Sequence, residues 1–320
     1  MSSSNSRSNL IKALVTGGAG FIGSNIVKLL YQEQHEVVVL DNLLSGYQEN
    51  LAPFPDICFI QGDIRDEKIV NTAMQGVDVV FHLAASVGNK RSIDHPIEDA
   101  EINVIGTLRI LEAMRQHNVS RIVSTSSAGI FGELKTLPID ELHPIDPDSP
   151  YGATKLASEK LVLAYGKLYG IQAVCLRYFN VYGVNQRFDA YGNVIPIFAY
   201  QMINHKPITI FGDGEQTRDF VNVYDVARAN YLAAMSDASG AFNLGSGTRI
   251  TINHLVELMS QTSGIKPQVT YGPPRPGDVR HSLADISAAA KAFGYEPIVD
   301  LKTGLAEYME WAKVALKEAE

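Results

Sequence analysis

The chain has 320 residues, 46% of them hydrophobic, which is enough apolar material for a large core and a length that predicts two lobes. A formal net charge of -8 with no cluster of Lys and Arg argues against a nucleic-acid surface, and no stretch is long and apolar enough to cross a bilayer. Cys58 and Cys175 fall in apolar runs and read as buried core thiols in a reducing, cytoplasmic setting; the 8 histidines show no metal-ligand spacing, so no metal is expected.

Residues 1–9 are polar and read as a disordered tail without the apolar stretch of a secretory signal. Apolar, β-branched runs follow at 13–15, 37–40, 57–60, 77–83, 121–123 and 173–176, alternating with helix-like stretches, which predicts a doubly wound parallel sheet. The first run ends in Thr16-Gly17-Gly18-Ala19-Gly20-Phe21-Ile22-Gly23 and leads into an amphipathic segment from Ser24 to Gln34. At such a strand-to-helix turn Gly17 permits the tight bend, Gly20 lets backbone approach a pyrophosphate, and Gly23 allows close packing of helix on strand.

After the second strand comes Asp41, where a carboxylate can accept both hydroxyls of an adenosine ribose. No arginine stands in Asn42-Leu43-Leu44-Ser45-Gly46 to meet a 2'-phosphate, so the expected cofactor is NAD and not NADP. Asp63 at the end of the third strand is placed to reach an adenine amino group, and Leu83-Ala84-Ala85 after the fourth is small enough for cofactor to lie against backbone. The fifth strand delivers the hydroxyls of Ser124, Ser126 and Ser127 to the same carboxyl edge, where ligands of such sheets bind. Then comes Tyr151-x-x-x-Lys155, whose helical spacing sets a phenol beside an ammonium; a nearby cation lowers a phenol toward general-base duty, with a serine hydroxyl at hand for the reacting oxygen.

With Arg177-Tyr178-Phe179-Asn180, Arg218-Asp219-Phe220 and Arg275-Pro276-Gly277-Asp278 added, the chain resembles the extended short-chain dehydrogenase/reductase family over nearly its whole length. Within it, the similarity is to the NAD-dependent nucleotide-sugar epimerases and dehydratases. The implied fold is α/β, a doubly wound parallel-sheet Rossmann domain with a smaller interleaved α/β substrate-binding lobe. The first would hold 10–182 and 221–244, the second 183–220 and 245–320.

The resemblance further implies that Phe21, Ile22, Asn42, Ser45, Gly46, Ile64, Asn103 and Ser124 join the cofactor site, that Lys155 holds the nicotinamide ribose, and that Tyr178 and Phe179 lie by the nicotinamide. Asn180, Arg218 and Arg275 would contact the nucleotide diphosphate and Asp278 its ribose, with Val194, Thr209 and Phe211 completing the substrate side. Relatives that dehydrate or decarboxylate the sugar carry an acid after the strand-five hydroxyl, where this chain has Ala128 and Gly129. That leaves 4-epimerisation of a UDP-hexose through a transient 4-keto sugar, with Tyr151, Lys155, Ser127 and Ser126 as the catalytic group.

Ser282 aligns with a gate that is bulky in epimerases of unsubstituted hexoses, so UDP-GlcNAc/UDP-GalNAc are expected, with UDP-Glc/UDP-Gal also accepted. Arg187 resembles the carboxylate-binding arginine of UDP-glucuronate 4-epimerases and keeps that reading open; against it, Asn180 stands where those enzymes carry threonine, and pairing with Asp189 or binding phosphate is the other reading of Arg187. Long helical stretches at 97–117 and 151–169 are apolar around much of their circumference, and similar epimerases pair such helices in a homodimer. The other class of reading is an NAD-binding protein without turnover; it has no need for a base, its cation and a hydroxyl together.

Overall fold

Unbroken β-branched runs flanked by turn residues build extended strands, and here they form β1 (Lys12–Thr16) and β2 (Glu36–Asp41), paired in parallel with Val15 opposite Val39. The computed structural model describes residues 10–188, 192–274 and 279–315. The remaining strands of the first half are β3 (Cys58–Gln61), β4 (Val79–His82), β5 (Arg121–Ser127) and β6 (Gln172–Tyr178). Shorter ones follow as β7 (Asn180–Tyr182), β8 (Ile208–Phe211), β9 (Thr217–Arg218), β10 (Phe220–Asn222), β11 (Gly240–Leu244), β12 (Ile250–Thr251) and β13 (Val269–Gly272).

Seven strands make one sheet in the order β11-β6-β5-β4-β1-β2-β3, all parallel. Strand order reverses between β1 and β4, and the loops leaving their carboxyl ends on opposite faces open a crevice there.

The helices are α1 (Phe21–Gln32), α2 (Glu67–Ala73), α3 (Asn89–Asp94), α4 (Pro96–Ala100), α5 (Thr107–His117), α6 (Pro150–Tyr169), α7 (Val194–Ile203), α8 (Val223–Met235), α9 (Ile252–Ser263), α10 (Ser287–Phe293) and α11 (Leu301–Ala315). In α1 the buried Ile26, Val27, Leu29 and Leu30 recur at helical spacing and pack, with α8, on one face of the sheet. On the other face Val70, Ile110, Met114 and Val162 of α2, α5 and α6 close a second core.

Two expectations are corrected. The single helix predicted over 97–117 is interrupted by a wider, π-type turn at Glu101–Gly106, where Gly106 lies so close to Ile64 that an added Cβ would stand 2.4 Å from its Cδ1. Cys58 is exposed while Cys175 is buried, because β3 is an edge strand and β6 a central one.

The substrate-side half has its own core, with Phe198 and Met202 of α7, Leu255 and Met259 of α9, and Leu305 and Tyr308 of α11. Buried carboxylates fasten its segments to the rest. Asp219, fully buried, accepts hydrogen bonds from Ser246 N (2.6 Å), Ser246 Oγ (2.7 Å), Ala284 N (3.1 Å) and Gly247 N (3.2 Å). Asp225 on α8 likewise accepts from the backbone of Ile298 and Val299. Because Asp219→Ala strands several buried donors at once, it should lower the unfolding free energy by about 3 kcal/mol, read from the denaturant midpoint.

Candidate active site

Gly17 adopts φ +70°, and a Cβ there would meet Ala84 N at 2.7 Å, so the turn after β1 is pressed against the chain leaving β4. A Cβ on Gly23 would stand 2.1 Å from the Gly17 carbonyl oxygen, which brings the first turn of α1 directly onto the glycine bend. Gly20 begins α1 with no side-chain cap, leaving the first-turn N–H groups for an anion. Phe21 and Ile22 follow on the cleft wall.

Asp41, nearly buried at the end of β2, accepts from Ala19 N at 2.9 Å and Leu43 N at 2.8 Å, so it braces the glycine turn while still lining the cleft. Asn42, Ser45 and Ile64 line the cleft as well, whereas Gly46 packs behind it, 3.0 Å in Cβ terms from Asp41 Oδ1. Asp63 also lines the cleft, but both its oxygens are engaged by the Arg65 guanidinium at 2.8–2.9 Å, and Asn42 Nδ2 donates to it at 3.0 Å. The Arg65 bonds hold its carboxyl down at about 2. Arg65 was not singled out from sequence.

Below Leu83, Ala84 and Ala85, which line the cleft, Thr16 Oγ1 bonds His82 Nδ1 at 2.8 Å and His82 Nε2 bonds Thr107 Oγ1 at 3.0 Å. Burial, with the nearby Lys155, lowers His82 to about 3, so it is a neutral structural link.

Tyr151 and Lys155 stand one turn apart on α6, which Ser149 caps through Gly152 N. Burial pushes the Tyr151 phenol above its ordinary value, a hydrogen bond from Ser127 opposes that, and Asp99 adds to it. Burial draws Lys155 down to about 8, and its ammonium donates to Thr125 Oγ1 at 3.1 Å. The lowering of the phenol by the ammonium, expected from spacing, is therefore not found; desolvation dominates. Gly129 backs the phenol, its notional Cβ 3.3 Å from Ser127 Oγ and 3.7 Å from the Tyr151 ring.

Strand alternation sorts the hydroxyls of β5. Ser127 and Thr125 face Tyr151 and Lys155, while Ser126 Oγ donates to Glu159 at 2.7 Å, beneath the site in a buried pair with Arg177. Ser126 thus lines the cleft with its hydroxyl engaged by Glu159, whereas Thr125, which period-two counting from Ser127 finds, was not singled out from sequence and accepts from Lys155. Ser124, by the same alternation, is buried away from the cleft wall. Asn103 is also displaced from it, because it is buried bonding Ser86 and Thr154, and its neighbour Ile102 lines the cleft instead.

Across the cleft, Tyr178 and Phe179 are nearly buried, with Tyr178 Oη held by Asn230 Nδ2 at 2.7 Å. Asn180, Val194, Thr209, Phe211 and Arg218 line the same wall. Arg187 lies over the Tyr47 ring at 4.0 Å and lines it too. Ser282 is buried with its N–H on Thr217 O at 3.1 Å, one residue from Arg218, and is not on the wall formed by the described residues. Arg275 and Asp278, like Asp189, lie outside the described residues.

The cleft measures ≈ 1710 Å³ and runs from the glycine turn past Tyr151 to Arg218, room for two ligands end to end. The model described as NAD dependent epimerase/dehydratase family matches residues 13–245. The chain belongs to that family. A putative UDP-glucose 4-epimerase of Methanocaldococcus jannaschii is 42% identical over 302 residues, covering 94% of this chain and 98% of the relative. The UDP-glucose 4-epimerase of Thermotoga maritima, solved with UDP-glucose, superposes with a TM-score of 0.91 at 38% identity, covering 96% of this chain and all (100%) of the other. The UDP-N-acetylglucosamine 4-epimerase of Methanobrevibacter ruminantium, solved with UDP-N-acetylmuramic acid, gives 0.91 at 36%, covering 95% and 98%.

NAD is the cofactor of the epimerase/dehydratase family, and the turn fits it: Gly17 and Gly23 let strand end and helix start close up without side chains, Gly20 leaves the uncapped helix start open to the cleft, and the nearly buried carboxylate of Asp41 stands beside it. Among the described residues no His, Cys, Asp and Glu cluster could hold a metal, and no helix is long and apolar enough to cross a membrane. Gly23→Ala must push the helix off the bend, and calorimetric titration should show NAD binding weakened at least tenfold, about 1.4 kcal/mol.

Proposed function

We propose that the chain is an isomerase, an NAD-dependent 4-epimerase of a UDP-hexose. The observation that carries this is the pairing of Tyr151 with Ser127 beside a residue, Gly129, that has no acid to offer. A dehydratase or decarboxylase needs a further proton-transfer group there; a 4-epimerase does not. When bound, NAD supplies the hydride acceptor and donor at C4 of the sugar.

The chain's own residues handle protons, charge and position. Tyr151 Oη takes the proton of the 4-hydroxyl and returns it, Ser127 hydrogen-bonding the same oxygen region and favouring the phenolate. Lys155, held by Thr125, contributes positive charge below about pH 8. Gly17, Gly20, Gly23 and Asp41 take the cofactor's pyrophosphate and ribose, and Asn180 and Arg218 take the diphosphate of the sugar nucleotide. Arg275, Asp278 and Ser282 are proposed alongside them from the sequence pattern.

For the sugar we favour UDP-GlcNAc/UDP-GalNAc, with UDP-Glc/UDP-Gal also turned over. The support is the small residue that the sequence pattern puts at Ser282, although its side chain is buried off the described cleft wall, and a relative of 36% identity named for UDP-N-acetylglucosamine. UDP-glucuronate is the second reading, favoured by Arg187 on the cleft wall. We further propose a homodimer formed through the helical stretch of α4, the π-type turn and α5 together with α6, on which Ile97 is 74%, Ile105 46% and Leu168 72% exposed.

Proton NMR of the anomeric signals should show UDP-GlcNAc converted to its C4 epimer, and UDP-Glc likewise. Conversion of UDP-GlcA alone moves recognition to Arg187, and conversion of none rejects the 4-epimerase. Tyr151→Phe should cut turnover by about 10²–10⁴ while retaining bound NAD; a non-catalytic binder has no turnover to lose.

A further inference from the structure

Beside the Tyr151–Lys155 pair, and used by nothing described above, is the carboxylate of Asp99 at the end of α4, 1% exposed. Its Oδ2 accepts a 2.5 Å hydrogen bond from Thr154 Oγ1, while Oδ1 is fully buried with no hydrogen-bond partner among the described residues. Thr154 sits between Tyr151 and Lys155 in sequence on α6. Ser86 N donates to Asn103 Oδ1 at 2.9 Å, which turns the amide nitrogen of Asn103 toward Thr154 Oγ1 at 3.0 Å, so the threonine oxygen receives one hydrogen bond. Its own proton faces two acceptors, Asp99 Oδ2 at 2.5 Å and the Tyr151 carbonyl oxygen at 3.1 Å, of which the carboxylate is the nearer and stronger.

A buried carboxylate with an orphaned oxygen is costly unless a cation balances it, and the buried cation at hand is Lys155, 5% exposed. We propose that Asp99 is a positioning residue of the active site: its carboxylate, held through Thr154, is the buried counter-charge that keeps the Lys155 ammonium charged and sets the pH at which Tyr151 ionises. The proposal rests on the 4-epimerase reading, in which Tyr151 carries the proton.

The other titratable groups near the pair leave this role to Asp99. Glu159 on α6 is taken by Arg177 at 2.8 Å. Burial pushes the Cys175 thiol on β6 far above its ordinary value, so it is neutral, and His82 on β4 is neutral as well. On α3, Lys90 pairs with Asp94 at 2.8 Å, and Arg91 lines the cleft. A negative charge at Asp99 raises both Tyr151 and Lys155; at the phenol it adds to the larger effect of burial, and at the ammonium it opposes it.

The test is Asp99→Asn, which keeps shape and removes charge. Both limbs of the pH–rate profile should move to lower pH by about one unit, since loss of a nearby anion favours phenolate and disfavours ammonium alike. The ultraviolet tyrosinate titration of the NAD-loaded protein, referenced to Tyr151→Phe, should move the same way, and Asp99→Glu should restore both. If Asp99→Asn does not fold, Asp99→Ser carries the same comparison. Limbs and tyrosinate titration unmoved in a folded neutral variant, with only a lower thermal midpoint, overturn the proposal. Should the wild type convert no UDP-sugar, the 4-epimerase reading fails by itself, while the tyrosinate titration still decides whether Asp99 tunes Tyr151.

Discussion

Everything at the carboxyl edge of the sheet depends on one steric contact, the Cα of Gly23 against the carbonyl oxygen of Gly17. Two glycines let α1 start almost on top of the β1 turn, which aims its free N–H groups into the crevice that strand reversal opens between β1 and β4. Asp41 then fixes the turn from the neighbouring strand through Ala19 N, and the Thr16–His82–Thr107 bonds fix the floor beneath it. With the turn in place, every other cleft residue is positioned by strands and helices that pack outward from it.

Electrostatics at the reacting end follow from the same burial. Desolvation raises the phenol of Tyr151 and lowers the ammonium of Lys155, two shifts that both favour neutral forms. Short-range bonds oppose them, Ser127 on the phenol and Thr125 on the ammonium, while the carboxylate of Asp99 supports the ammonium and adds to the rise of the phenol.

Features set by backbone were legible in the sequence. Gly17, Gly20 and Gly23 at a strand-to-helix turn, Asp41 one strand later and Tyr151 four residues before Lys155 all depend on spacing alone, and the structure brings them to one cleft. Features set by which way a side chain turns were less legible. Ser126 and Thr125 differ by a single step of strand alternation, which counting from Ser127 separates, but the Glu159–Arg177 pair that engages Ser126 Oγ comes from elsewhere in the chain. Asn103 lies in the wider turn at Glu101–Gly106, and its side chain is held by Ser86 and Thr154, partners that spacing along the chain does not reveal. Cys58 reads as core from its apolar neighbours, yet edge position, a property of strand order, exposes it.

The chain passes between its two halves more than once, with β11 returning to the main sheet after β8, β9 and β10. Asp219 and Asp225 tie those crossings down, each gripping backbone from a segment far along the chain. No single breakpoint in the gene separates the main sheet from the core of α7, α9 and α11, so recombination that exchanges contiguous blocks would cut through these carboxylate anchors.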